Sequence, residues 1–117
     1  MASLEETYMR CLTVIKLLHL DDSLSISLRE NDIVVKNYKF SVKPTKISLP
    51  YGVTCLADGC FSGTNVELVR LSGSITSVGY GCFANCPHLK TICIHESQKQ
   101  FSEQLLYGNH AKLDIIS

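Results

Sequence analysis

The chain has 117 residues, 45% of them hydrophobic and 19% charged, which suits one domain with a buried core and excludes a disordered or collagen-like polymer. Eleven Lys and Arg balance eleven Asp and Glu, so there is no basic field to hold a phosphate backbone, and nucleic acid is not an expected partner. No apolar run approaches the length of a membrane span, and a membrane is not an expected partner either. The opening residues, Met1 to Glu6, are acidic where a signal peptide would be basic. A cytoplasmic location is the expectation, with the cell surface reached only by unconventional export.

In chain order, Ser3-Leu4-Glu5-Glu6 reads as a capping box opening a helix. Leu4, Tyr8, Leu12, Ile15 and Leu18 line one face of it, and Asp21-Asp22 marks its end. Beyond it, apolar residues two apart recur as Ile26/Leu28, Ile47/Leu49, Val69/Leu71, Ile92/Ile94 and Leu113/Ile115. First members of successive pairs are 21, 22, 23 and 21 residues apart. Alternation places each pair on one face of a short strand. A strand returning at this interval predicts a solenoid whose strands stack into a parallel ladder. Between the strands, Val35, Leu56 and Val78 recur, each followed five residues later by a ring at Phe40, Phe61 and Phe83. Near the end, Ser97 to Gln100 repeats a capping pattern, with Phe101 and Leu105 on one face, Gly108 as a stop and a last strand over 113–116.

Sliding Leu49–Gly63 by 22 residues onto Leu71–Asn85 gives identity at Leu49/Leu71, Thr54/Thr76, Gly59/Gly81, Cys60/Cys82 and Phe61/Phe83. Residues 49–61 and 74–92 resemble the BspA-type leucine-rich repeat, with Phe83, Cys86, Leu89 and Ile92 on its F, C, L and I positions. The first copy departs from the pattern, because Thr64 stands where the cysteine is expected and one residue is missing before Val69. The expected fold is therefore an α+β repeat: a short right-handed leucine-rich-repeat solenoid with a stacked parallel β ladder. Its parts are an N-terminal capping helix (1–22), a degenerate first repeat (23–45), two well-matched repeats plus the strand of the next (46–96), and a C-terminal helix-strand cap (97–117). The resemblance implies a shared shape rather than a shared activity.

Six cysteines raise three chemistries. Cys82, Cys86, His88, Cys93 and His95 carry zinc-ligand atoms, but no C-x-x-C knuckle accompanies them. Cys60 and Cys82 are repeat equivalents, which packing explains: cysteine is small, apolar and often buried. Cys93 and His95 lie two apart in a strand, as a Cys–His nucleophile would require, yet no orienting third group or cleft goes with them. The expectation is no enzyme, no metal and no cofactor, with reduced, buried cysteines. A small thiol redox or zinc-binding protein using Cys82, Cys86 and Cys93 is the alternative. The glycines match no phosphate-binding pattern, and Asp114 stands where a prenylation box needs cysteine.

What remains is the outward face of the ladder. Ser27, Ser48, Arg70, Cys93 and Asp114 point outward in successive strands, flanked by Ser25, Lys46, Leu68, Thr91 and Lys112 and then by Arg29, Pro50, Ser72 and His95. The expected function is non-catalytic protein–protein interaction through this face, with Lys46, Ser48, Leu68, Arg70, Ser72, Thr91, Cys93 and His95 as the binding residues. Composition leaves the partner protein unidentified, and an uncovered ladder edge leaves self-association open.

Overall fold

Residues 3–39 and 46–116 are described by the computed structural model. Helix α1 spans Leu4–Leu17 and begins where expected, the Ser3 hydroxyl accepting from the Glu6 amide at 3.1 Å. It ends earlier than Asp21. His19 adopts φ 58°, its amide bonding to the Lys16 carbonyl and the Leu20 amide to that of Ile15, a Schellman closure in which histidine takes the usual glycine place. Cys11 and Ile15 form the buried stripe, with Leu4, Tyr8 and Leu12 partly covered. Leu18 lies outside that stripe and is exposed, since the helix has already ended at Leu17.

Eight strands follow: β1 (Leu24–Arg29), β2 (Asp32–Tyr38), β3 (Lys46–Ser48), β4 (Cys55–Leu56), β5 (Leu68–Arg70), β6 (Ser77–Val78), β7 (Thr91–His95) and β8 (Lys112–Ile116). Between β7 and β8 lie a 3₁₀ helix (Glu96–Phe101) and helix α2 (Ser102–Leu106). The tighter turn brings Lys99 Nζ to 3.0 Å from Glu96 Oε1, as near-eclipsed i, i+3 positions allow. The strands form two sheets, ordered β1-β2-β4-β6 and β3-β5-β7-β8.

The second sheet is the expected ladder with one member fewer. Ile47 pairs with Val69, Val69 with Ile92, and Ile92 with Leu113, all in parallel register. Ile26 and Leu28 do not join it. Only Glu30 and Asn31 separate β1 from β2, and so short a link permits only an antiparallel hairpin, whereas a parallel step needs a crossover of about a dozen residues. The hairpin carries a register shift between Ser25 and Ile26, and Leu28 near its tip is left 36% exposed.

The first sheet confirms the second apolar column: Val35 pairs with Leu56 and Leu56 with Val78, parallel and in register. Its ring stack includes a residue that the spacing does not pick out. Tyr38, Phe61 and Phe83 stack with centroids 5.3 and 5.0 Å apart, while Phe40 lies outside the described residues. A third ladder of amides accompanies the rings, Tyr38 N–H to the Cys60 carbonyl and Phe61 N–H to the Cys82 carbonyl, each at 2.7 Å. The two columns and the stack enclose one core, to which Val53, Val66, Ile75, Leu89 and Leu105 also contribute.

Side chains clip successive turns together. Thr54 Oγ1 accepts from the Ile33 amide at 3.0 Å, and Ser74 Oγ donates to the Val53 carbonyl at 2.7 Å. Asp58 accepts from the Tyr80 amide at 3.1 Å, and this turn fits closely against Gly79, where a Cβ would lie 2.6 Å from the Asp58 nitrogen. Gln98 is 1% exposed and fully bonded. Its amide donates to the carbonyls of Ser72 (2.8 Å) and Ile75 (3.1 Å), and its oxygen accepts from the His95 amide (2.9 Å). Asn109 similarly ties the Phe83 and Leu105 carbonyls together next to Gly108, whose φ is 73°.

Candidate interaction face

The outer face of the β3-β5-β7-β8 sheet follows from strand alternation: with Ile47, Val69 and Ile92 turned inward, their neighbours in sequence point out. Register sets two rows across it. One runs Lys46, Leu68, Thr91, Lys112, and the other Ser48, Arg70, Cys93, Asp114. Lys46, Ser48, Arg70, Lys112 and Asp114 are exposed, while Leu68 and Thr91 are half-buried. Basic groups thus stand at both ends of the first row and in the middle of the second, around a partly covered leucine.

Several expected positions differ. Cys93 points outward but is only 3% exposed, so it forms part of the floor between Arg70 and Asp114 rather than an open contact. Alternation sets the side a residue faces, not how deeply its neighbours cover it. Pro50 is buried. Ser25, Ser27 and Arg29 belong to the hairpin in the other sheet and are absent from this face for the reason given above. Ser72 shares a 2.8 Å hydrogen bond with Ser74 Oγ, which also accepts from the Gly52 amide, so its hydroxyl serves the turn. His95 is half-buried, with its ring alongside Gly73, where a Cβ would lie 3.5 Å from Nε2.

The cysteines occupy different layers. All six are free thiols. Cys60 and Cys82 are buried next to the ring stack, and burial pushes both thiols upward, that of Cys82 to about 12. Cys11 is also raised by burial, with Arg10 opposing the shift, and its Sγ lies 3.5 Å from the Tyr51 carbonyl oxygen. Cys86 Sγ donates to the Phe61 carbonyl at 3.1 Å; Thr64 Oγ1 donates to the same oxygen at 2.7 Å. The threonine that broke the repeat pattern therefore keeps a buried donor at that place. Cys93 lies beyond the core from Cys82, on the other side of β7. Among the described residues, no three His, Cys, Asp or Glu side chains are placed to hold a metal ion. Also among the described residues, no helix is long and apolar enough to cross a membrane.

An open cavity of about 340 Å³ lies between the turn at Asn85–Leu89 and the segment at Gly108–His110, with Cys86 in its wall. The capping pattern expected over 97–100 falls two residues earlier, with His95 at the cap and Gln98 accepting from its amide; as turn clips, Asp58, Gln98 and Asn109 are residues that sequence reasoning missed. Each acts through a single set of hydrogen bonds, which leaves no periodic signal.

The BspA type leucine rich repeat region matches residues 22–116 in six copies. The chain belongs to this family. The match spans both the parallel ladders and the hairpin, so β1 and β2 lie within the repeat region although β1 runs antiparallel. No curated protein and no solved structure matches the chain. For a BspA-type leucine-rich repeat the general expectation is an interaction module rather than an enzyme.

Proposed function

We propose that this BspA-type repeat chain is a short right-handed solenoid, closed by α1 at one end and by the segment 97–117 at the other, that binds a protein partner through the outer face of β3-β5-β7-β8. The observation that carries this reading is the in-register row Lys46, Leu68, Thr91, Lys112 beside Ser48, Arg70, Cys93, Asp114. It gives a rigid grid with rows about 4.8 Å apart, in which basic groups surround a partly covered leucine above a buried floor. Rigid elements present such groups at low ordering cost, and arginine beside apolar surface is typical of protein interfaces. Ser48, Leu68, Arg70 and Thr91 form the centre, Lys46 and His95 the flanks, and Ser72 and Cys93 support them from below. The partner is a protein with an acidic, partly apolar surface, met without chemistry and without a cofactor, in the cytoplasm.

The test is capture from native lysate with wild-type chain and with the Lys46→Glu, Arg70→Glu double variant, matched for melting temperature. A protein held by the wild type and lost from the variant supports the face. Identical capture by both places binding elsewhere and overturns it.

A further inference from the structure

Strand β8 is the edge of the ladder, and among the described residues nothing pairs with its outer side. The Lys112 amide donates inward to the Lys90 carbonyl at 3.0 Å. Since backbone groups alternate in direction along a strand, Lys112 and Asp114 turn their N–H and C=O toward β7, whereas Leu113 and Ile115 turn theirs to the open edge. Leu113 is only half-buried and Ile115 is 36% exposed, so the inward column ends at β8 incompletely covered. The outer face of the same strand carries Lys112 and Asp114, both exposed and, among the described residues, neither in an ion pair.

We infer that β8 is a homodimerisation edge, pairing antiparallel with β8 of a second copy about a two-fold axis at Leu113. Two independent features select this register. An antiparallel hydrogen-bonded pair requires both residues to present their backbone groups at the edge, which Leu113 opposite Leu113 does. On either side Ile115 lies opposite Ala111, whose carbonyl can accept from the Ile115 amide, while the Ala111 amide is held by Asn109 Oδ1 at 2.9 Å. In that register Lys112 of each copy lies opposite Asp114 of the other, in the closely spaced non-hydrogen-bonded pairs where cross-strand side chains meet. The axis at Ile115 keeps the same backbone direction but places Asp114 opposite Ile116, and so loses both charge pairs. The edge is thus complementary to itself, as a two-fold interface must be. Pairing would join the two ladders into one eight-stranded sheet with both interaction faces on the same side.

The test is light scattering over a concentration series on the whole chain. The wild type is expected to reach twice the 13.0 kDa chain mass as concentration rises. Lys112→Glu sets carboxylates opposite each other at both charge pairs, and Asp114→Lys sets ammonium groups opposite each other. Each variant alone should dimerise about tenfold more weakly or worse. An equimolar mixture of the two restores opposite charges at both pairs and should dimerise as the wild type does. Ile115→Pro removes an outward N–H without touching a bond to β7, so it should give a monomer whose circular dichroism is unchanged. A wild type that stays monomeric overturns the inference. So does a dimer indifferent to these variants, a mixture no tighter than its components, or a mass that grows without limit as end-to-end stacking would require.

Discussion

The hairpin β1-β2 and the repeat body from β3 to β7 are built from the same sequence sign, an apolar pair two residues apart, and they use it differently. In the body, Ile47/Leu49 and Val69/Leu71 are all buried, and each pair hands on to a turn of about twenty residues before the next strand stacks in parallel. In the hairpin, Ile26 is buried, Leu28 is 36% exposed, and the chain reverses after two residues. The difference lies in the connection. A pair of apolar residues specifies a strand with one buried face, and the length of the following link decides whether its neighbour is parallel or antiparallel. β2 is where the two regimes meet: it pairs antiparallel with β1 on one side and parallel with β4 on the other.

The ring stack crosses that boundary, so it gives the largest expected effect. Phe61 lies between Tyr38 and Phe83 and stacks on both. Phe61→Ala should cost about 3–5 kcal/mol in urea denaturation, from lost transfer energy plus the cavity left behind. Tyr38→Ala should cost less, and the hairpin's amide exchange should rise more than that of the body. Equal losses at both sites would mean that hairpin and body unfold as one unit.

Much of the body was legible because its signals recur. Spacing alone picks out Val35, Leu56 and Val78, which pair in register. The pairs from Ile47 to Leu113 were equally visible, and so was the Ser3 cap. What is not legible has no period. Tyr38 stacks on Phe61 from a hairpin strand, outside the five-residue offset that the repeat keeps at Leu56/Phe61 and Val78/Phe83. Alternation gives the side of Cys93 but not its depth, and the role of Gln98 follows from two carbonyls more than twenty residues away.

Gln98 tests how the body is held at its other end. Removing its side chain strands the Ser72 and Ile75 carbonyls, each of which loses a buried donor. Gln98→Ala should cost roughly 2–3 kcal/mol by urea denaturation. Gln98→Glu retains the acceptor for His95 N–H but not the donors, and should recover only part of that loss. If both variants melt like the wild type, the clip contributes nothing and the 3₁₀ segment is held by packing alone.

Alkaline pH separates the regions in another way, because the strongly shifted thiols Cys60 and Cys82 both belong to the body. Folding raises the Cys82 thiol from 9.0 to about 12 through burial, and shifts Cys60 in the same direction. The stabilisation is complete below pH 9, where both states hold the proton. Above it the unfolded chain loses protons that the folded chain retains, so stability falls toward pH 12 at about 1.4 kcal/mol per pH unit for each thiol. A Cys60→Ala, Cys82→Ala variant should descend less steeply between pH 9 and 11 in the same urea titration. Parallel slopes would show that these thiols ionise in the folded protein.

The smallest effect belongs to the hairpin tip and runs in the opposite direction. Glu30 occupies the first of two loop positions with φ 39°, which side-chain-bearing residues adopt at a cost of about 1–2 kcal/mol. Two-residue hairpin loops with a positive φ at this place favour glycine. Glu30→Gly relieves the strain but frees the unfolded chain by about 0.5–1 kcal/mol, so the net gain should be about 0.5 kcal/mol. Glu30 is exposed and makes no ion pair among the described residues, so little else changes. Amide exchange can locate the gain: it should appear as slower exchange in β1, with β5 and β7 unchanged when local opening is measured. A gain spread evenly over β1, β5 and β7 would mean that the antiparallel hairpin, despite its separate construction, opens only when the parallel body does.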